Sequence, residues 1–168
     1  MPRRQPRLRQ TYTGIVTIWL DDDQQAAWRK LATVVERLPG VLDSQLRRDS
    51  DLSHFDYLTL AMLSEAPDHA LRMTQLAERT SSTLQRLSHV ASRLENRGYL
   101  RRSPCPGDRR TTNAQLTEAG WEKVQVTAPG HVTTVLSTVF ASLDAQDVAA
   151  LDHVMGKVMQ TLDADPPL

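Results

Sequence analysis

The 168-residue chain has a single cysteine, Cys105, and therefore no internal disulfide to staple it. A lone thiol fits a reducing compartment, and the cytoplasm is the expected location. Aromatic residues are scarce at 5 %, and hydrophobic residues reach only 40 %. A chain this polar that still carries several long apolar helix stripes is expected to complete its core in a partner subunit. No apolar run approaches the ~20 residues that span a bilayer, so no membrane partner is expected. A leader peptide is not expected either. Residues 15–20 follow a basic start, but the patch is short, lacks a small-residue cleavage site and runs into Asp21, Asp22 and Asp23. Residues 1–20 are read as a flexible basic arm leading into the first helix.

Catalytic signatures are missing as well. There is no glycine-rich phosphate loop, no paired-carboxylate motif and no oriented acid/base set, so no enzyme activity and no cofactor are expected. An enzyme using Cys105 with His69 or His131 has nothing to support it. The five histidines (54, 69, 89, 131, 153) contain no i, i+4 pair and none lies beside Cys105, which argues against a bound metal. Nor does either charge predominate, because 20 Lys and Arg balance 20 Asp and Glu. Their distribution is uneven, however. Between Arg72 and Arg110 nine arginines face only Glu78, Glu95 and Asp108, whereas the stretch after Arg110 is acidic. A neutral chain with one basic segment can present a local phosphate-binding face. Arg in place of Lys suits bidentate contacts to phosphate or guanine.

That basic segment has a definite shape. Thr74–Arg79 reads as a short helix, and Thr80-Ser-Ser-Thr83 as a polar turn supplying hydroxyl N-caps, with Ser82 one candidate. Leu84, Leu87, Ala91 and Leu94 then form the apolar stripe of a second helix, which Gly98 ends as a C′ glycine. Tyr99–Arg102 and Asn113–Leu116 flank a loop of turn formers tipped with arginine. Residues 70–73 look extended, a third strand beside this wing. The fold class is mainly α with a small β wing: a winged helix-turn-helix over 51–116, a shape that fits duplex DNA.

Helical segments flank the reader at 21–50 and 117–168. The first carries Trp28, Leu31, Val35, Leu38 and Leu42, with a kink or short break expected at Pro39-Gly40. Ser53 is expected to cap the next helix. Thr117 opens a later one, bent at Pro129-Gly130, and Asp144 caps the last. There Val148, Leu151, Met155, Val158 and Leu162 repeat at 3-4-3-4 spacing, the seam of a helix–helix interface. Dimerisation through the N- and C-terminal helices is the expectation. It would place two readers on half-sites ~34 Å apart.

From about Trp28 to Leu162 the chain resembles the multiple-antibiotic-resistance regulator (MarR) family of bacterial winged-helix transcription factors. The segments that carry the likeness are Leu71-Arg-Met-Thr-Gln-Leu-Ala77, the run from Leu84 to Leu100, Asp108-Arg-Arg110 as an Asp-x-Arg wing signature, and Gln115-Leu-Thr-Glu-Ala-Gly120. The resemblance implies a homodimer that binds palindromic promoter DNA and is commonly relieved by a small organic effector. Repression is the mode it favours.

Within that frame Arg110 is expected to enter the minor groove, aimed by Asp108, with Arg109 on phosphate or in water. Ser81, Ser82 and Thr83 are expected to donate to phosphate, Thr74 to join the DNA-binding set, and Gln85 and Arg86 to reach adenine and guanine edges. His89, one turn beyond Gln85, is a further candidate contact. Arg93 and Arg97, further along, could contact phosphate or pair with Glu95 and neighbouring groups, and the pairing is the favoured reading. Trp28, His54, Tyr57 and Trp121 could line an effector pocket, or serve simply as core anchors. Cys105 is read as an exposed, unreactive thiol. Two alternatives remain at this point: a thiol-based redox regulator using Cys105, and a winged helix working through protein contacts.

Overall fold

The computed structural model describes residues 19–105 and 108–164, the side chains of 108–110 excepted. It divides into two compact units, residues 1–41 and 42–168. Helix α1 (Asp22–Ser50) begins the described chain. Asp21 Oδ1 accepts the Gln24 amide at 2.7 Å while Gln24 Oε1 accepts the Asp21 amide at 3.0 Å, a reciprocal cap on the free N–H groups of the first turn. The expected break at Pro39-Gly40 does not occur, and α1 runs through Pro39 as one helix of 29 residues. Proline removes one donor from the ladder, but its φ is already helical, so the rungs on either side can carry the helix past it. In the first unit this helix leaves Trp28, Val34, Val35 and Val41 exposed.

In the second unit, α2 (His54–Ser64) is opened by Ser53. Ser53 Oγ accepts the Asp56 amide at 3.1 Å, and Asp56 returns the bond to the Ser53 amide at 2.9 Å. Strand β1 (Ala70–Arg72), helix α3 (Met73–Arg79) and helix α4 (Leu84–Asn96) follow. Strands β2 (Leu100–Cys105) and β3 (Asp108–Leu116) then form the wing. The sheet is antiparallel in the order β1-β3-β2, with Leu71 opposite Ala114 and Arg102 also opposite Ala114 from the other side. The extended reading of 70–73 therefore holds for Ala70–Arg72.

Helix α4 starts at Thr83, whose hydroxyl accepts the Arg86 amide at 3.2 Å; Thr83 rather than Ser82 is the cap. It ends at Gly98, where φ is +76°. The Gly98 amide meets Glu95 O at 2.9 Å and the Tyr99 amide meets Leu94 O at 3.0 Å, a Schellman closure that a side chain at Gly98 would strain. Leu46, Leu60, Leu63, Leu76, Leu87, Leu94 and Leu100 are fully buried together. Each such leucine is worth roughly 1.5–3 kcal/mol relative to exposure. Because α4 contributes Leu87, Val90, Ala91 and Leu94 to this core, its opposite face is fixed outward.

Helix α5 (Glu118–Val135) is capped by Thr117 Oγ1, which accepts the Gly120 amide at 3.0 Å. It continues into a wider turn over Leu136–Phe140. Helix α6 (Ala145–Ala164) is capped by Asp144, and no residue of it is buried.

Candidate nucleic-acid interface

With Leu87, Val90, Ala91 and Leu94 inward, the outward face of α4 carries Gln85 and His89, both exposed. Arg86 is exposed on the flank of the same helix. The turn before α4 places Ser81 in the left-handed region at φ +48° and exposed, while Ser82 is half-buried with its hydroxyl 3.1 Å from that of Thr80. Thr74 is exposed at the start of α3. It joins Arg72, Ser88, Arg102, Thr111 and Thr112 around an open pocket of about 190 Å³ between α3, α4 and the wing strands. Arg72 and the hydroxyls of Thr74 and Thr112 give that groove groups that suit phosphate oxygens. The side chains of Asp108, Arg109 and Arg110 lie outside the described set. The backbone of these residues continues β3.

The other arginines of the basic segment are mostly engaged. Glu95 accepts both the Arg102 amide and Arg102 Nε at 2.8 Å, which ties the end of α4 to the first wing strand. The Arg102 amide, with its side chain behind it, holds the Glu95 carboxyl below the ordinary value. Arg93 and Arg97 do not pair with Glu95 as the sequence suggested. Arg93 Nε reaches the buried carboxylate of Asp56 at 3.2 Å, and Arg97 bonds Asp51 through both its carbonyl and its carboxylate. On α4, Glu95 points toward β2 while Arg93 and Arg97 lie on the flank facing α2. Asp56 was findable beforehand: a Ser-x-x-Asp capping box leaves one carboxylate edge free for a cation. Arg101 is held by Gln115 across the wing, at 2.7 Å from NH2 to Oε1.

Cys105 is buried, contrary to the exposed thiol expected, and its Sγ donates to Asn113 Oδ1 at 2.8 Å. Pairing of β2 with β3 turns the side chain inward. The arginine nearest in sequence, Arg102, is occupied by Glu95.

The four aromatic and imidazole positions suggested for a pocket fall into separate places. Trp28 is exposed in the first unit. Trp121 stacks on His69 with ring centroids 4.7 Å apart. Tyr57 is a core residue, and its ring lies 4.6 Å from His131, which is also 6.5 Å from His54. Ten residues separate Trp121 from His131, ~15 Å along a helix, so α5 offers a different ring to each end of α2. His131 had no sequence signal beyond being a histidine.

Burial holds the imidazoles of both His54 and His131 below their ordinary value, and for His131 the neighbouring His54 adds to the effect. The unfolded chain therefore binds protons that the folded chain resists, and their contribution to stability is lost as pH falls below about 6.5. Asp43, Asp49 and Glu95 are shifted down as well, but they act in the lower carboxylate range. Thermal melts should show Tm falling between pH 7 and 5, with a shallower fall in His131→Gln. A His131→Gln slope equal to that of the native chain would remove these two imidazoles as the cause.

An exposed recognition helix backed by a short helix and flanked by a two-stranded wing defines a winged helix-turn-helix protein. The chain belongs to the MarR family of transcriptional regulators, which are not enzymes. The family profile matches residues 50–111. The fold is similar to that of Sco3205 from Streptomyces coelicolor, a MarR family regulator solved in complex with DNA. The TM-score is 0.85 at 38 % identity, over 90 % of this chain and 95 % of that one. It is similar also to AbsC from the same organism, with TM-score 0.83 and 36 % identity over 89 % and 100 % of the two chains. The transcriptional repressor MprA of Escherichia coli is 27 % identical over 108 residues, which are 64 % of this chain and 60 % of that protein. The match thus spans under two thirds of that repressor's length.

Proposed function

We propose that this chain is a sequence-specific transcriptional repressor that binds palindromic promoter DNA as a homodimer in the cytoplasm. A small organic effector releases it. The observation that carries the reading is the outward face of α4, where Gln85 and His89 stand exposed on a helix whose other side is locked into the core. Such a helix can enter the major groove without disturbing the fold. The DNA-bound state of Sco3205, at 38 % identity, supports it. Gln85 would read adenine, Arg86 guanine, and the hydroxyls of Thr74, Ser81 and Ser82 would take phosphate. Arg110, with Asp108 to aim it, would enter the minor groove, and Arg109 would sit on phosphate. The dimer would form through residues 21–50 and 117–168. Effector binding would draw on His54 and Tyr57 beside His131.

The test is binding of the purified protein to its own upstream intergenic DNA against random duplex, titrated across salt. A palindromic footprint with a specificity ratio of ~10³ or more is expected. Equal, weak and salt-labile binding on both duplexes would leave only the phosphate attraction and defeat the proposal. Gln85→Ala is expected to cost ~1–3 kcal/mol of discrimination at particular base pairs. An equal loss on every sequence would remove Gln85 as a reader. Arg110→Ala is expected to weaken operator binding without unfolding the protein, and undiminished binding would take the wing out of the mechanism.

A further inference from the structure

Arg86 and Arg93 on one flank of α4, and Arg97 at the C-cap just past it, stand at i, i+7 and i+11. All three reach toward the start of α2 or the turn before it, but they are held by different chemistry. Arg93 is bonded to the carboxylate of Asp56, which is only 3 % exposed. Arg97 donates to Asp51 O at 2.7 Å and to Asp51 Oδ2 at 2.9 Å. Arg86 instead lies over the ring of Phe55, its guanidinium carbon 4.2 Å from the centroid.

The difference matters for DNA. A carboxylate fixes a guanidinium by taking its N–H donors and cancelling its charge. A ring face attracts the cation through its quadrupole and accepts none of the in-plane donors. Among the described residues, no group accepts a hydrogen bond from the Arg86 side chain. Arg86 is therefore held in place yet keeps its charge and its donor edge.

We infer that Phe55 is a positioning residue that sets base specificity. It holds Arg86 against α2 so that the unspent donors meet guanine O6 and N7 in the major groove, while Arg93 and Arg97 serve the fold. This inference rests on the DNA-binding proposal and adds to it which cation reads sequence and what aims it. Phe55 is well placed for the task because it is only half-buried at the N-terminal end of α2, at the margin of the core and within reach of α4.

The test is selection from a duplex library with randomised half-sites, followed by affinity titration of the native and variant chains across salt. Phe55→Leu keeps an apolar side chain and removes the ring. It is expected to lower preference at one guanine per half-site two- to fivefold, the equivalent of ~0.5–1 kcal/mol for an exposed cation–π contact, with an unchanged salt slope. Phe55→Tyr restores a ring face and is expected to restore the preference. In an Arg86→Ala background, Phe55→Leu is expected to do nothing more. An equal loss in both backgrounds would make Phe55 a packing residue and overturn the inference. So would a salt slope reduced by about one with base preference intact, since Arg86 would then be on phosphate. Arg86→Lys, made with Phe55 in place, covers the case in which Phe55→Leu misfolds. It keeps the charge but loses the fork, and guanine preference that survives it overturns the inference. A native chain with no base preference sinks the DNA-binding proposal, and this inference with it. A native preference left unaltered by Phe55→Leu sinks this inference alone.

Discussion

Gly120→Ala is expected to destabilise the protein by about 3 kcal/mol or more, although the change adds only one methyl group. A Cβ at this position would stand 1.9 Å from the carbonyl oxygen of Tyr99 and 2.9 Å from Leu116 Cδ1. The leucine could rotate away, but the carbonyl could not. Tyr99 O already accepts the Thr117 amide at 3.1 Å, and the Tyr99 amide closes the end of α4 on Leu94 O. Thr117 Oγ1 meanwhile bonds Gly98 O at 2.6 Å and the Gly120 amide at 3.0 Å. The end of the recognition helix, the start of the wing and the first turn of α5 thus converge on one point, with space there for a hydrogen atom only. Overpacking elsewhere can be relieved by a rotamer change, but here backbone meets backbone. Chemical denaturation checks the expectation through a lowered midpoint with an unchanged slope. A loss below about 1 kcal/mol would mean that α5 can slide away from Tyr99 and that the junction is soft. Gly156 offers a control on α6, because nothing lies within 4 Å of a Cβ built there. Gly156→Ala is expected to be neutral or mildly stabilising, since alanine favours helix by ~1 kcal/mol.

The reader was legible because its signals are local. The stripe at Leu87, Ala91 and Leu94 announces a buried helix face. Gly98 announces a left-handed closure, and Ser53, Thr117 and Asp144 announce caps; each works within four residues of chain. Two local signals misled. Pro39 allowed a break as well as a kink, and the break does not occur, because a single missing donor does not stop a helix whose remaining rungs survive. Ser82 reads as a cap as well as Thr83 does, and only the fold reveals that its hydroxyl lies against Thr80 instead. What the sequence withheld is long-range. Arg93 and Asp56 are 37 residues apart, and Arg97 lies 46 from Asp51. No periodicity links Phe55 to Arg86 or Tyr57 to His131, because these meetings depend on how α2 crosses α4 and α5. Charge clustering alone marked a basic segment but could not sort its arginines. Once carboxylates have claimed Arg93, Arg97 and Arg102, the positive charge available to a ligand is smaller than the local excess of cations suggests.

The largest functional loss is expected from the C-terminal helix rather than from the reader. Helix α6 has twenty residues, ~30 Å of helix, and buries none of them. Val148, Leu151, Val154, Val158, Met159 and Leu162 are each more than a third exposed. Val148, Leu151, Met155, Val158 and Leu162 repeat at 3-4-3-4, which puts all five on one stripe, and a solvated helix has no need of such a row. An exposed apolar surface of this length marks an interface, and a second copy of this chain is the occupant proposed above. Leu151→Glu combined with Val158→Glu places two carboxylates on the stripe of each protomer, four at a two-fold contact. Burying unpaired charge costs several kcal/mol per group, so the paired state should be lost. The protomer itself should tolerate both changes, since neither side chain packs in its core. Sedimentation is expected to show the native chain at about twice 18.9 kDa and the double variant at 18.9 kDa. Operator affinity should fall by at least ~10²-fold, because two linked readers gain an effective concentration that two free ones lack. The salt slope should fall toward half as each binding event neutralises half as many phosphates. A double variant that stays dimeric would show that residues 145–164 are not the seam. One that becomes monomeric yet keeps full affinity would show that the half-sites are read independently, and the palindromic part of the proposal would go.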